Sequence, residues 1–186
     1  GRLYAFVGYS RRHVDARAGS RFSIQRTNIG TPAWGGIYWQ YTQPMQDVQA
    51  AHIREVSIDK EFVALDAAEM PTSNAIQVGD KVRVRLIITC DQAMDYVTIT
   101  DERASCFEPV DKTSGYRYQE GVSHYRETRD SGTNLFFNHL TKGTHVITYD
   151  VYATTPGTFA SGIATLQSQQ APEMSAHTAG TQLVVK

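Results

Sequence analysis

Residues 82–88 read Val-Arg-Val-Arg-Leu-Ile-Ile, and this stretch decides the class of fold. In an extended chain its apolar side chains share one face, while Arg83 and Arg85 share the other. Such an alternation with a period of two indicates a half-buried β-strand. Residues 144–153 repeat the pattern, because Ile147, Tyr149 and Val151 again fall on one face.

Segments rich in Thr, Tyr, Val and Ile, which favour strands, occur along the whole chain. The candidates are Leu3–Val7, Arg21–Ile29, Gly36–Thr42, Val56–Leu65, Tyr96–Asp101, His124–Thr128, Leu135–His139, Thr158–Gln167 and Gln182–Val185. Turn sequences separate them, notably Val78-Gly79-Asp80, Thr141-Lys142-Gly143 and Thr155-Pro156-Gly157. Helical signals are limited to Asp66–Met70, ended by Pro71, and Gln46–His52. The pattern therefore predicts an all-β protein with an antiparallel β-sandwich.

A domain boundary is expected near residues 44–55, where Pro44 and a polar stretch follow an aromatic strand. We predict a β-segment over residues 1–50 and a sandwich of seven or more strands over residues 51–186. The chain opens on Gly1 without a Met start or a signal sequence, and we interpret it as an internal piece of a longer protein.

Composition and charge argue against several classes of function. The net charge is −1, so no basic surface for nucleic acid or for an anionic membrane is expected. No apolar run approaches the roughly 18 residues that a transmembrane helix requires. We expect no nucleic-acid partner and no direct insertion into a membrane.

Two cysteines, Cys90 and Cys106, are too few for a disulfide framework. Cys90 ends the strand over residues 82–89, and the antiparallel return of the next strand would carry Cys106 towards the other end of the sandwich. About ten residues at roughly 3.3 Å each would separate them, which exceeds the reach of a disulfide. We predict two free thiols.

Candidate catalytic and metal-binding groups lack the required spacing. His124, His139 and His145 lie on separate predicted strands without a metal-ligand motif. Asp101 and Glu102 are adjacent, so they point to opposite faces and are interpreted as a solvated strand end. We expect no metal, no cofactor and no enzymatic activity. An enzyme remains an alternative, and it would require a pocket joining Cys106 to a histidine.

Aromatic residues supply the candidate binding surface. Tyr116, Arg117 and Tyr118 lie between turn residues at Ser114-Gly115 and Gly121, and Tyr125 follows. These residue types are enriched in interface cores, so an exposed loop carrying them is typical of a binding site. Core packing is the competing interpretation, under which the rings are buried. A carbohydrate- or protein-binding adhesin is a further alternative, for which coplanar Trp and Tyr rings on one sheet face would provide the platform.

Eleven sequence motifs follow one another in order over residues 28–186. They are Gly30–Tyr41, Val78–Arg85, Met94–Val97, Asp101–Pro109, Ser114–Gln119, Tyr125–Asp130, Asn134–Phe137, Leu140–Thr144, Tyr149–Tyr152, Gly162–Gln167 and Ala171–Met174. Through these motifs, residues 28–186 resemble the C-terminal macroglobulin-like domain of bacterial α2-macroglobulins of the Bacteroidetes type. The first of these motifs is similar to the β-segment that follows the helical thioester-type domain in that family.

The resemblance implies a role as a domain of a large, extracytoplasmic protease inhibitor, periplasmic or on the cell surface, with a lipid-anchored parent. In that family the C-terminal domain packs on the helical thioester-type domain. We therefore hypothesise that Ser114–Arg129 docks on the neighbouring domain, and that target proteases are met only through the whole parent. This chain contains no Cys-x-x-Gln thioester sequence.

Overall fold

The computed structural model describes residues 2–7, 10–15, 30, 37–72 and 75–186. Within these residues the secondary structure consists of β-strands and one 3₁₀ turn, Met45–Asp47, with no α-helix. The predicted all-β class is confirmed. In the candidate helix Gln46–His52, only Gln46 and Asp47 lie in this 3₁₀ turn, and Ala51 forms an antiparallel bridge with His177. Asp66–Met70 is a turn in which Asp66 Oδ1 accepts the N–H groups of Ala68 and Met70.

The chain divides into two compact units, residues 1–43 and 44–186. In the first unit β1 (Arg2–Val7) pairs antiparallel with both β2 (Ser10–Asp15) and β3 (Ile37–Gln40). The candidate strand Arg21–Ile29 lies outside the described residues. The division lies between residues 43 and 44, whereas the sequence placed the boundary near residues 44–55. Within the second unit, the N–H of Gly180 donates to Val48 O.

The second unit is an antiparallel sandwich of two sheets with a small additional ribbon. Its strands are β4 (Val56–Leu65), β5 (Pro71–Thr72), β6 (Lys81–Cys90), β7 (Met94–Glu102), β8 (Phe107–Pro109), β9 (Gly115–Gln119), β10 (Val122–Thr128), β11 (Gly132–Leu140), β12 (Gly143–Ala153), β13 (Gly157–Ala160), β14 (Ala164–Ser168), β15 (Ser175–His177) and β16 (Gln182–Val185). Sheet I has the order β15-β14-β7-β11-β10-β9, and sheet II has the order β5-β4-β6-β12-β8. β13 pairs with β16 in the ribbon.

The core lies between the inner faces of sheets I and II. The apolar face of β6 is buried as its alternation predicts, from Val82 to Ile88. Sheet I opposes it with fully buried side chains such as Ile99, Leu135 and Phe137. Burying these apolar faces is the main force that holds the two sheets together.

Two sequence-based assignments need correction. The segment Thr158–Gln167 is not one strand, because Ser161–Ile163 carries the chain from the ribbon at β13 into sheet I at β14. Gly162 permits this crossing with a φ of 71°, and a Cβ there would stand 2.3 Å from Glu102 O. The segment around Tyr116 is not a loop but the edge strand β9, since its residues pair with β10.

The cysteines lie at opposite ends of sheet II. Cys90 pairs with Gly143 at the start of β12, whereas Phe107, the neighbour of Cys106, pairs with Ala153 at its end. Both cysteines are free and buried, so the predicted absence of a bridge between them is confirmed.

Candidate functional site

An aromatic row crosses the outer face of sheet I on three neighbouring strands. The antiparallel register places Tyr116 of β9 opposite Tyr125 of β10, and Tyr125 opposite Phe136 of β11. The ring centres of Tyr116 and Tyr125 are 5.2 Å apart, and those of Tyr125 and Phe136 are 6.4 Å apart. Aromatic pairs at these distances attract each other, so the row forms one connected surface.

Most of this surface is accessible. The exposed fraction is 75% for Tyr116, 75% for Tyr118 and 40% for Phe136, whereas Tyr125 is half-buried between its neighbours. Tyr118 lies two residues from Tyr116 on β9, so it projects from the same face. Neither Tyr116 nor Tyr118 fills the core. We call Tyr116, Tyr118, Tyr125 and Phe136 the aromatic face.

Arg117 belongs to a different environment from the tyrosines that flank it. Its guanidinium donates to Asp111 Oδ2 at 2.9 Å and to Thr113 O at 3.2 Å, on the inner side of β9. Because side chains alternate along a strand, the residue between two outward tyrosines must point inward. The structure therefore brings together three of the four candidate residues and separates Arg117 from them.

Phe136 was not among the candidate surface residues that the sequence indicated. Phe136 and Phe137 are consecutive, so one of them had to face outward on a strand, but the local pattern does not indicate which. Pairing with β7 and β10 decides it, since Phe137 is buried in the core and Phe136 lies beside Tyr125. Two adjacent aromatic residues in an otherwise alternating strand indicate that one ring is exposed, and this pattern could have identified the position.

A buried polar cluster connects the two sheets beneath this surface. Asp101 of β7 is completely buried, and its carboxylate accepts Lys60 Nζ at 2.5 Å and the Tyr149 hydroxyl at 2.5 Å. Lys60 Nζ also donates to Glu102 O at 2.9 Å. Burial raises the pKa of the Asp101 carboxyl, while Lys60 lowers it. The interpretation of Asp101 as part of a solvated strand end was wrong, although Glu102 beside it is exposed.

The cysteine and histidine environments do not resemble a nucleophilic centre. Cys106 is fully buried, and burial raises the pKa of its thiol, which disfavours the reactive thiolate. His124 is buried with its ring 5.3 Å from that of Phe137, and His145 Nε2 lies 2.8 Å from Thr141 O. His139 Nδ1 lies 2.6 Å from Asp95 Oδ1 at the surface. Among the described residues no group of three potential metal ligands converges.

The ring planes bear on the carbohydrate-binding alternative. Tyr116 and Tyr125 meet edge to face at 77°, and Tyr125 and Phe136 are inclined at 47°. A flat stacking platform for sugars would require coplanar rings, and the aromatic face does not provide them in this arrangement.

Over the described part of the chain, no helix has the length and hydrophobicity needed to cross a membrane.

Comparison with known families identifies one match to the sandwich. The family of the bacterial alpha-2-macroglobulin MG10 domain matches residues 56–173. This range covers β4 to β14 and includes the aromatic face and the buried polar cluster.

Solved structures of low sequence identity share the fold over the whole chain. Trypsin-activated alpha-2-macroglobulin from Escherichia coli matches with a TM-score of 0.61 and 13% identity, over 100% of this chain and 14% of that one. Salmonella alpha-2-macroglobulin reacted with methylamine gives 0.59 and 16%, over 100% of this chain and 13% of that one. Native Escherichia coli alpha-2-macroglobulin from domain MG7 to the C-terminus gives 0.57 and 13%, over 100% of this chain and 33% of that one.

A curated protein of another kind shares a shorter similarity. "Circularly permutated Ras protein 2" of Dictyostelium discoideum is 24% identical over 110 residues, which are 59% of this chain and 3% of that protein. The chain thus spans a small part of each of these proteins, at most the 33% covered in the MG7-to-C-terminus structure.

Proposed function

Since the chain belongs to the bacterial alpha-2-macroglobulin MG10 domain family, we propose that it is a non-catalytic structural and interaction domain of a bacterial α2-macroglobulin-like protease inhibitor. The proposal includes a C-terminal position in a parent of the Bacteroidetes type. Target proteases would be met by the whole parent protein and not by this domain. The parent would act outside the cytoplasm, in the periplasm or at the cell surface, held there by a lipid anchor.

The absence of catalysis in this proposal rests on the environments of the reactive side chains. Both thiols are buried, and burial raises the pKa of each. The buried carboxylate of Asp101 is engaged by Lys60 and Tyr149 within the core, so it supports the sandwich instead of facing a substrate.

The interaction role rests on the aromatic face. Two tyrosine rings with exposed fractions of 75% project from an ordered sheet and not from a loop. A rigid scaffold lowers the entropy lost when such side chains bind, which favours their use as interface anchors. We propose that the aromatic face packs against the helical thioester-type domain of the same parent chain. Arg117 would act indirectly, by holding Asp111 and the start of β9 in place.

The test is a parent protein in which Tyr116→Ala and Tyr118→Ala are combined. Interface anchors of this type contribute about 2 kcal/mol or more each, so the variant should loosen the contact between the two domains. Limited proteolysis at the junction near residues 44–55 should then become faster. Tyr152→Ala is the matched control, because Tyr152 is a tyrosine with an exposed fraction of 41% on sheet II.

Thermal unfolding of the 186-residue chain distinguishes docking from core packing. The double variant should unfold within a few degrees of the unsubstituted chain, because exposed residues contribute little to the free energy of unfolding. A large loss of thermal stability with unchanged cleavage at the junction would contradict the docking proposal.

A further inference from the structure

A polar cleft opens between the sheet edges on the inner side of β9 and β10. Its volume is about 250 Å³. Side chains from both sheets form its walls, among them Arg83, Gln119, Arg126, Thr128, Thr133 and Tyr149. The Gln119 amide fixes one wall, because it donates to Thr148 O at 3.0 Å and accepts the Thr148 N–H at 3.2 Å.

The two arginines of this cleft differ in how well they are paired. Arg83 donates from Nε and Nη2 to the two carboxylate oxygens of Asp150, at 2.8 and 3.1 Å, so both of these donors already have an acceptor. Arg126, whose side chain is only 9% exposed, donates from Nη2 to Asp111 Oδ2. That oxygen also accepts from Arg117. In the described part of the chain, Arg126 Nε is buried and has no acceptor.

The charge balance at the cleft is positive. Arg83 and Arg126 line the cleft together with Asp111 and Asp150, and Arg117 outside the lining pairs with the same Asp111. This ion-pair network therefore has three guanidinium groups for two carboxylates, which leaves one positive charge uncompensated. Behind the cleft, Lys60 and Asp101 form an ion pair with each other. Arg103 Nη2 donates a hydrogen bond of 3.3 Å to Thr133 Oγ1. A buried guanidinium with one shared acceptor is unfavourable, and a further acceptor would stabilise it.

We propose that this cleft binds a carboxylate group, which Arg126 receives on the donors that Asp111 leaves unfilled. A carboxylate carries the single negative charge that balances the cleft, and its two oxygens match the guanidinium fork. The hydroxyl of Thr128 lies on the same wall, where it donates to Asp111 O over a long contact of 3.4 Å, and a ligand carboxylate would compete for this donor. The group comes either from a small free acid or from an Asp or Glu side chain of another polypeptide segment.

The ionisation of the surrounding groups is consistent with this site. Hydrogen bonds from Arg117, and further interactions with Thr113 and Arg126, lower the pKa of Asp111 to about 2, so this carboxylate stays charged at neutral pH. Burial and the nearby charge of Arg117 lower the pKa of Arg126, even with Asp111 in contact. These directions agree with the geometry, in which Arg117 and Arg126 share one oxygen of Asp111.

The first test is titration of the ¹⁵N-labelled 186-residue chain with sodium acetate, followed through the Nε–H signal of Arg126. The signal should move to a plateau with acetate, and sodium chloride at equal ionic strength should not reproduce the movement. Equal effects of both salts would mean simple screening and would overturn the proposal. Sulfate binding more tightly than acetate would overturn the assignment to a carboxylate.

Two variants locate the binding. Asp111→Asn removes the competing carboxylate from a partly exposed position, so acetate should bind about tenfold more tightly.

Arg126→Lys keeps the positive charge but removes the paired N–H donors of the guanidinium group. The affinity for acetate, followed through the amide signals of Thr128 and Thr133, should therefore weaken about tenfold. Arg129→Lys is the control, because Arg129 is exposed and paired with Glu127. Unchanged affinity in Asp111→Asn would overturn the site even where Arg126→Lys fails to fold.

Two peptides distinguish the sources of the carboxylate. Binding of acetyl-Gly-Glu-Gly-amide at least as tightly as acetate indicates a polypeptide side chain as the ligand. Binding of acetate without this peptide indicates a free small acid. Acetyl-Gly-Gln-Gly-amide should not move the Arg126 signal, and a matching response to it would contradict recognition of a charged carboxylate.

Discussion

At the scale of the residue, Asp101 joins the two sheets through a single buried carboxylate. Lys60 comes from sheet II on β4, Tyr149 comes from sheet II on β12, and Asp101 comes from sheet I. Each polar group in this cluster compensates the desolvation of the others. Removing one partner leaves a charge buried without compensation, which costs more than the intact pair contributes.

Asp101→Ala should therefore lower the free energy of unfolding by about 3–5 kcal/mol, because Lys60 Nζ, on a side chain that is 3% exposed, would lose its carboxylate partner. Urea unfolding of the 186-residue chain measures the effect. Glu102→Ala is the matched control, since Glu102 is exposed and should change the value by less than about 0.5 kcal/mol. Similar losses in both variants would contradict the buried pair.

His124 should make stability depend on pH. Burial, together with the charge of Arg126, lowers its pKa below the ordinary value of 6.5. Between that value and the folded pKa, the unfolded chain binds more protons than the folded chain, so stability is complete above pH 6.5 and is lost as the pH falls. His124→Leu should flatten this part of the stability curve. A curve of the same slope in His124→Leu would assign the pH dependence to other groups.

At the scale of the element, the crossing between β13 and β14 depends on Gly162. Its φ of 71° is unfavourable for other residues, and a Cβ would stand 2.3 Å from Glu102 O and 2.8 Å from Glu102 C. These are backbone atoms of β7, so they cannot rotate away as a flexible side chain would. The strand break is thus built into the pairing of β7 with β14.

Gly162→Ala should destabilise the chain by clearly more than about 1 kcal/mol, since the backbone strain and the overlap add. Gly79→Ala is the matched control, because Gly79 also has a positive φ, 96°, but a Cβ there meets nothing within 4 Å. Gly79→Ala should lower the free energy of unfolding by about 1 kcal/mol. Denaturant unfolding of both variants provides the comparison, and equal losses would contradict the close approach to β7.

At the scale of the whole molecule, the sandwich protects both thiols from solvent. Cys90 and Cys106 are buried at opposite ends of β12. Titration under denaturing, non-reducing conditions should find two thiols per chain. In the native chain their reaction should follow the rate of global unfolding, because neither sulfur is accessible in the folded state. Zero titratable thiols in a monomer would contradict this topology.

The class of fold and most of the strands follow from local patterns in the sequence. Alternation is a local property, so Val56–Leu65 and the stretch over 82–88 could be assigned as strands without knowing their partners. The separation of the cysteines followed from the same local geometry. The aromatic composition also indicated which part of the chain carries the candidate surface, although β9 was interpreted as a loop because Gly115 and Gly121 flank it.

Which side chains meet depends on the pairing and packing of the sheets, which local patterns do not specify. The side that Phe136 faces, the isolation of Arg117 and the burial of Asp101 depend on register between strands that are distant in sequence. Lys60 and Asp101 are 41 residues apart, and no local pattern links them. Alternation assigns residues to two opposite faces, but partner strands determine which face is covered, because burial is a property of the assembled sheets.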